Sequence, residues 1–189
     1  VLSRMHVVFT DTPKWRDEVT LMTWHKGLER LFFLRDFIMT DRDGNPKVKA
    51  TTSWLVLNLD TRRLVRDPHL LDEGTVCSEN VLEKPADKVV MPKDVEVQLV
   101  NEHFVGYSDL DMNGHANNAM YMQWAMDAVN YEISSTRPVR EFTINFNHEV
   151  KPQETVSIYK AIVEAEDGRH VFVEGKAGGQ SSFCVEIIF

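Results

Sequence analysis

The sequence predicts an α+β fold in which a curved antiparallel sheet encloses one long helix. Residues 117–133 carry apolar side chains in two stripes at helical spacing, so this helix is apolar over most of its circumference. About five runs of alternating β-branched and aromatic residues surround it in the sequence. The runs after the helix are separated by short turn sequences that suit antiparallel hairpins. A helix of this kind has to be buried, and the strands are what can bury it.

The first 66 residues read as strands. Strand patterns cover residues 5–10, 18–24, 30–39 and 47–59, and Asp-Arg-Asp-Gly-Asn-Pro at residues 41–46 predicts a turn. Residues 30–37 are also compatible with a helix. No apolar helix precedes these strands in the sequence.

Residues 67–93 are rich in proline and charge and show weak periodicity, so they are predicted to be a linker. Strands are expected after the linker and after the helix, at residues 95–100, 140–149, 155–164, 170–176 and 182–189. A helix wrapped in such a sheet is the hotdog architecture.

A polar array immediately precedes the helix, with Asp111, Asn113 and His115 two residues apart. In extended backbone this spacing places all three side chains on one side, and Gly114 allows a bend before the helix begins. The N–H groups and the dipole of a helix N-terminus favour negative charge, including charge that develops on a carbonyl oxygen under attack. A single N-cap would account for one of the three residues. The array offers more polar groups than one cap uses, which indicates a functional site.

Residues 109–124, followed by Phe-Thr-Ile-Asn-Phe-Asn-His-Glu at 142–149, resemble the catalytic half of the acyl-acyl carrier protein (acyl-ACP) thioesterases of plants and bacteria. Thr23-Trp24, residues 30–37 and residues 53–63 are similar to the first module of that family. The resemblance implies tandem hotdog modules, with a partial N-terminal module on the acyl-chain pocket side (1–66), the linker (67–93) and a C-terminal module that carries the array (94–189). It favours a strand at residues 30–37. Since the first module then lacks an opening strand and a central helix, either residues before Val1 are omitted or this half is incomplete; we expect omitted residues.

The resemblance implies catalytic roles for Asp111, Asn113 and His115, with Glu149 as a fourth member. Plant members of the family commonly have Cys after the equivalent of Glu149, whereas this chain has Val150, so a thiol mechanism at that position is excluded. Our working hypothesis is attack by water. In it, Glu149 or His115 removes the proton, Asn113 positions the water or the substrate, and Asp111 orients the nucleophile. Direct attack by a carboxylate through an acyl anhydride is the competing route.

The activity that the resemblance implies is hydrolysis of fatty acyl-ACP to free fatty acid, which terminates fatty acid elongation. The implied partner is acyl carrier protein. Two alternatives stay open: a thioesterase acting on coenzyme A esters, and a non-catalytic acyl-binding hotdog protein. The second alternative would be expected to have a broken polar array, whereas the array is intact here.

Composition describes an ordinary globular protein of 189 residues, 43% hydrophobic and 26% charged, with a net charge of −8. This charge argues against binding to nucleic acid or to an anionic membrane, and no apolar run reaches the roughly 18 residues of a transmembrane helix. Docking of the acidic carrier protein would need a local basic cluster. Two cysteines are too few for a disulfide framework and fit the reducing cytoplasm. No cofactor or metal motif is present in the sequence, and a homodimer is possible. The candidate basic clusters are Arg62, Arg63 and Arg66, or Lys84, Lys88 and Lys93.

Overall fold

The computed structural model describes residues 1–61, 63–65 and 76–189. The chain divides into two compact units, Val1–Asp87 and Lys88–Phe189. The first part of the predicted linker and the basic residues Arg62 and Arg66 lie outside the described residues. Residues 76–87 belong to the first unit.

The first unit contains four antiparallel strands in the order β2-β3-β4-β1. The strand at residues 30–39 is confirmed, since β3 covers Phe32–Asp41. The prediction that the fourth strand continues to residue 59 is wrong, because β4 ends at Trp54. Beyond it, the Asn58 side-chain oxygen accepts hydrogen bonds from the Asp60 and Thr61 N–H groups at 3.1 and 2.8 Å, which bends the chain into a turn. The strands are β1 (Leu2–Phe9), β2 (Val19–Glu29), β3 (Phe32–Asp41) and β4 (Pro46–Trp54).

A buried ion pair ties residues 76–87 to this sheet. Asp36 is fully buried, and its carboxylate lies 3.2 Å from the Lys26 ammonium and accepts the Val81 N–H at 2.8 Å. The Trp24 indole N–H donates to the Glu79 carbonyl oxygen at 3.0 Å. The bonds to Val81 and Glu79 each join a sheet side chain to the backbone of residues 76–87, whereas the pair of Lys26 and Asp36 joins two strands of the sheet.

The second unit has a five-stranded antiparallel sheet in the order β6-β9-β8-β7-β5. The turns predicted between the last three strands are present, at residues 166–167 and 178–179. Gly178 and Gly179 have φ of 56° and 80°, the left-handed conformation that a two-residue hairpin loop requires. The elements are β5 (Gln98–Phe104), α1 (Asn118–Ala128), α2 (Tyr131–Thr136), β6 (Glu141–Phe146), β7 (Thr155–Ala165), β8 (Gly168–Ala177) and β9 (Gln180–Ile188).

The helix predicted to run to residue 133 is interrupted. Helix α1 ends at Ala128, and Val129 is extended, with φ −72° and ψ 135°. Straight continuation would keep Val129 and Ile133 in the stripe of Met122 and Met126, which is only half-buried. The break brings both residues to 6% exposure, so burial of two apolar side chains is the physical reason for it.

Helix α1 packs against β5, β7, β8 and β9 through its buried face of Tyr121, Trp124, Ala125 and Ala128. The predicted enclosure therefore holds for one face of the helix, while Gln123 and Asp127 are exposed. Within the described residues, no helix has the length and apolar character needed to cross a membrane.

Gly175 has a packing role in this core. A Cβ on Gly175 would lie 2.1 Å from Cε1 of Phe183, a ring that is fully buried. Since real Cβ atoms do not approach other atoms so closely, only glycine fits between β8 and this ring.

Burial and hydrogen bonding shift the pKa values of Lys160 and His170 in this unit. Lys160 on β7 is 8% exposed and donates to the Asn130 side-chain oxygen, and burial lowers the pKa of its ammonium. Burial also acts to lower the pKa of His170, but hydrogen bonds to Glu186 and Asp167, at 2.7 and 3.0 Å, outweigh it and raise the pKa above its ordinary value.

Candidate active site

The predicted array lies on a short hairpin between β5 and α1, formed by residues 109–117 and called here the catalytic hairpin. The Asn117 N–H donates to the Asp109 carbonyl oxygen at 2.8 Å, and the Asp111 N–H donates to the His115 carbonyl oxygen at 2.8 Å. Gly114, at φ 74°, lies in the turn that closes the hairpin. The array is therefore built on a turn, not on the extended backbone that the two-residue spacing suggested.

The Asp111 carboxylate organises this turn. Its Oδ1 accepts the N–H groups of Asn113 and His115 at 2.8 and 3.3 Å, and its Oδ2 accepts the Asn113 side-chain amide at 3.3 Å. Burial acts to raise the pKa of Asp111, but these hydrogen bonds and the nearby His115 outweigh it and hold the pKa below its ordinary value. The carboxylate is consequently ionised at neutral pH and occupied by donors from its own loop.

The His115 side chain turns away from this network towards Glu149. Its Nε2 lies 3.5 Å from Oε2 of Glu149, and the two side chains are 28% and 43% exposed. Glu149 was expected in the strand after the helix, but β6 ends at Phe146, so Glu149 lies in the loop that follows. An imidazole and a carboxylate at this separation, both open to solvent, can together bind a water molecule beside them and accept its proton.

Val150 fixes the backbone beside Glu149. The Ala116 N–H donates to the Val150 carbonyl oxygen at 2.9 Å, and the Val150 N–H donates to the Tyr121 hydroxyl oxygen at 3.1 Å. Burial, with the negative charges of Glu149, Glu154 and Asp111, raises the pKa of Tyr121, so its side chain is a neutral phenol. The pair of His115 and Glu149 is thus built where residues 115–116 meet residues 149–150.

The helix N-terminus offers fewer N–H groups than the sequence suggested. Asn117 is the N-cap, and its side-chain oxygen accepts the Ala119 N–H at 3.0 Å. The Met120 N–H donates to the Asn117 carbonyl oxygen at 2.9 Å. In the first turn this leaves the Asn118 N–H, for which no partner is found in the part of the chain that the structure describes.

Two residues next to the array escaped the sequence reasoning, Asp109 and His103. Asp109 is 3% exposed, and its Oδ2 accepts the Gly106 N–H at 2.7 Å and contacts Nε2 of His103 at 3.0 Å. The spacing Gly106-x-x-Asp109 could have revealed the first of these bonds, since an acidic residue three positions after a cap often bonds back to the cap N–H. His103 lies on β5 among exposed neighbours and carries no comparable pattern.

Within the described ranges, no group of three His, Cys, Asp or Glu side chains is placed to hold a metal ion. The two cysteines, Cys77 and Cys184, are free thiols. Burial raises the pKa of Cys184 to about 12, so this thiol is not a nucleophile at neutral pH.

Comparison with known proteins places these residues in a family. The family model for the acyl-ACP thioesterase C-terminal domain matches residues 92–189, and that for the N-terminal domain matches residues 1–72. Oleoyl-acyl carrier protein thioesterase 2 of Arabidopsis thaliana is 30% identical over 171 residues, which cover 82% of this chain. The chain spans less than half of that relative, 45% of its length.

Two solved structures are similar to this chain over its whole length. An acyl-ACP thioesterase from Bacteroides thetaiotaomicron is 26% identical, with a TM-score of 0.75 over 100% of this chain and 75% of its own. The 12:0-ACP thioesterase from Umbellularia californica has a TM-score of 0.81 over 100% of this chain and 74% of its own; at 21% identity it shows the fold alone. The fold is hotdog-like, with antiparallel sheet and one main helix. The two family models together match most of the chain. The chain therefore belongs to the acyl-ACP thioesterase family.

Proposed function

We propose that this protein hydrolyses the thioester of fatty acyl-ACP, releases free fatty acid and so terminates elongation. The observation that carries the proposal is the solvent-accessible pair of His115 and Glu149, 3.5 Å apart, beside a hairpin that Asp111 organises. Membership of the acyl-ACP thioesterase family supports the same activity. Acyl carrier protein bearing a fatty acyl chain is the proposed partner.

In the proposed mechanism, a water molecule bound beside Glu149 and His115 attacks the thioester carbonyl carbon. Glu149 accepts the proton of the water, and His115 stabilises the carboxylate or relays the proton to the departing thiolate. The thiolate is a good leaving group, so the chief demand on the site is to activate water and to stabilise the oxyanion. The Asn118 N–H and the Asn113 amide are the donors that we assign to the oxyanion.

The hydrogen bonds of Asp111 bear on the competing anhydride route. A carboxylate that accepts two backbone N–H groups and one amide is a weak nucleophile, because its charge is already stabilised. Glu149 is exposed, whereas Asp111 is half-buried. If a covalent intermediate forms, we therefore expect it on Glu149, and Asp111 retains the role of holding the turn.

A single-turnover reaction in ¹⁸O water separates these routes. Attack by water places the label in the released fatty acid and none in the protein. An anhydride that water opens at the protein carbonyl places label in the carboxylate that formed it, which mass spectrometry of the peptides containing Asp111 or Glu149 would locate. An anhydride that water opens at the acyl carbonyl labels the fatty acid alone, so trapping of the acyl-enzyme with hydroxylamine is the second readout that detects it.

The substrate is tested by thiol release from matched acyl-ACP and acyl-coenzyme A series of increasing chain length. We expect a higher kcat/KM for the carrier-bound esters. Equal or better turnover of coenzyme A esters would assign the protein to the alternative substrate class, and binding of acyl chains without turnover of either series would support a non-catalytic acyl-binding protein.

The organisation of the whole protein stays a prediction in several respects. These are the tandem arrangement of hotdog modules, the partial first module, the boundaries 1–66, 67–93 and 94–189, homodimer formation and a cytoplasmic location.

A further inference from the structure

The root of the catalytic hairpin is held by a buried carboxylate that the mechanism above does not use. Asp109 is the first residue of the hairpin, and its side chain is 5% exposed. Burial of a carboxylate costs free energy of folding. Its retention at this depth indicates that its hydrogen bonds serve a purpose. Its partners show what that purpose is.

Asp109 makes four hydrogen bonds, which join β5, the loop at Gly106 and the cap of α1. Its main-chain N–H and C=O groups bond to the Gly106 carbonyl oxygen at 3.2 Å and to the N–H of Asn117, the cap of α1, at 2.8 Å. Its carboxylate accepts the Gly106 N–H at 2.7 Å and meets Nε2 of His103 at 3.0 Å. The two groups lie at hydrogen-bond distance, and imidazole nitrogen and carboxylate oxygen are complementary partners in such a bond.

His103 extends this connection to the helix. Its ring lies 4.6 Å, centroid to centroid, from the ring of Trp124, at an interplanar angle of 36°. Trp124 is 2% exposed and packs in turn on Tyr121, the residue whose hydroxyl oxygen holds the Val150 N–H. One imidazole therefore fixes the position of β5 relative to both the hairpin root and the buried face of α1.

We propose that His103 and Asp109 are a positioning pair, which fixes the catalytic hairpin so that His115 faces Glu149. The pair acts through the hairpin backbone and does not itself touch the substrate. This role rests on the proposed thioesterase activity. Displacement of a reacting group by about 1 Å can cost about 100-fold in rate, so a loosened root should lower turnover even though every group of the array is still present.

The test compares His103→Leu with His103→Gln. Leucine removes the donor but keeps an apolar side chain against Trp124, whereas glutamine retains an N–H donor of similar reach. We expect kcat for an acyl-ACP substrate to fall at least about tenfold in His103→Leu, with KM within about twofold. We expect His103→Gln to recover kcat to within about threefold of the parent. Asp109→Leu, which removes the oxygen that accepts from Gly106 and meets His103, should be at least as impaired as His103→Leu.

A core variant controls for simple loss of stability. Val171→Ala truncates a fully buried side chain on β8 and should lower the melting temperature while kcat is unchanged at temperatures where the protein is folded. If His103→Leu retains kcat within twofold, or if His103→Gln is as impaired as His103→Leu, the pair does not position the hairpin.

A second readout does not depend on activity. Amide hydrogen exchange of residues 113–117 should accelerate in His103→Leu and not in Val171→Ala, because only the first change releases the hairpin root. Protection equal to the parent in both variants would overturn the positioning role. If the parent hydrolyses no thioester, the proposed function fails, and exchange alone then decides the role of the pair.

Discussion

Removal of the Tyr121 hydroxyl tests how the protein places Glu149. Tyr121 is 3% exposed, and its ring is surrounded by Trp124, Phe183 and Phe146 at centroid distances of 5.2, 5.3 and 5.8 Å. Tyr121→Phe deletes one oxygen and keeps this aromatic packing. What it removes is the acceptor of the Val150 N–H, a donor on a residue that is fully buried.

The expected magnitude follows from that single loss. A buried N–H without a partner costs about 1–3 kcal/mol of the free energy of unfolding. In a chain of this size each kcal/mol corresponds to about 2–4 °C, so the melting temperature should fall by roughly 2–12 °C. Since Val150 follows Glu149 directly, we also expect kcat to fall about tenfold, with KM nearly unchanged.

Urea unfolding gives the stability, and steady-state thiol release from acyl-ACP gives kcat and KM. The matched control is Tyr131→Phe, because Tyr131 is 82% exposed and should change the free energy of unfolding by less than about 0.5 kcal/mol. An unfolding free energy for Tyr121→Phe that equals the control would refute the importance of this hydrogen bond. A normal kcat together with the expected loss of stability would show that Glu149 does not depend on it.

Three further predictions concern stability. Gly175→Ala should destabilise the protein by at least about 1–3 kcal/mol in urea unfolding, because the added methyl group collides with Phe183; an unchanged midpoint would contradict the packing. Lys160→Met should raise the melting temperature at pH 7, because the lowered pKa of the lysine means that its charged form opposes folding. The gain in melting temperature should vanish above about pH 10.4, where the lysine of the unfolded chain is also neutral. A gain that is independent of pH would argue against this cause. His170→Gln should destabilise the protein below about pH 6.5, where the raised pKa makes the contribution of the charged histidine complete, and the difference should shrink as pH rises through the folded pKa. Melting temperatures at pH 5.5 and 8.5 measure it, and a larger loss at pH 8.5 would reverse the sign.

The sequence was sufficient for the hairpins from β7 to β9 and for the place of the array before α1. Alternation and turn residues are local, and each hairpin from β7 to β9 depends on a few neighbouring residues, such as Gly178 and Gly179. The break after Ala128 was not predictable in this way. Val129 and Ile133 continue the helical spacing, and only the half-buried environment of that stripe favours the break.

The hydrogen bonds and packing contacts between distant residues of the site were harder to predict from the sequence. The bonds from Val150 to Ala116 and Tyr121 join residues 29 or more positions apart, and no local pattern encodes them. The same holds for the contact of His103 with Trp124, which depends on how β5 packs against α1. Spacing located the groups that can do chemistry, while tertiary packing determines which of them face each other.

The central claim, that Glu149 and His115 activate water for thioester hydrolysis, is tested most directly by Glu149→Gln, which keeps the size of the side chain and removes the base. We predict that kcat on an acyl-ACP substrate falls by at least about 100-fold, while KM and the melting temperature stay close to those of the parent. Glu166→Gln, an exposed position in the turn between β7 and β8, serves as the control and should retain full activity. Turnover of Glu149→Gln within a few-fold of the parent would contradict the assignment of this carboxylate as the base.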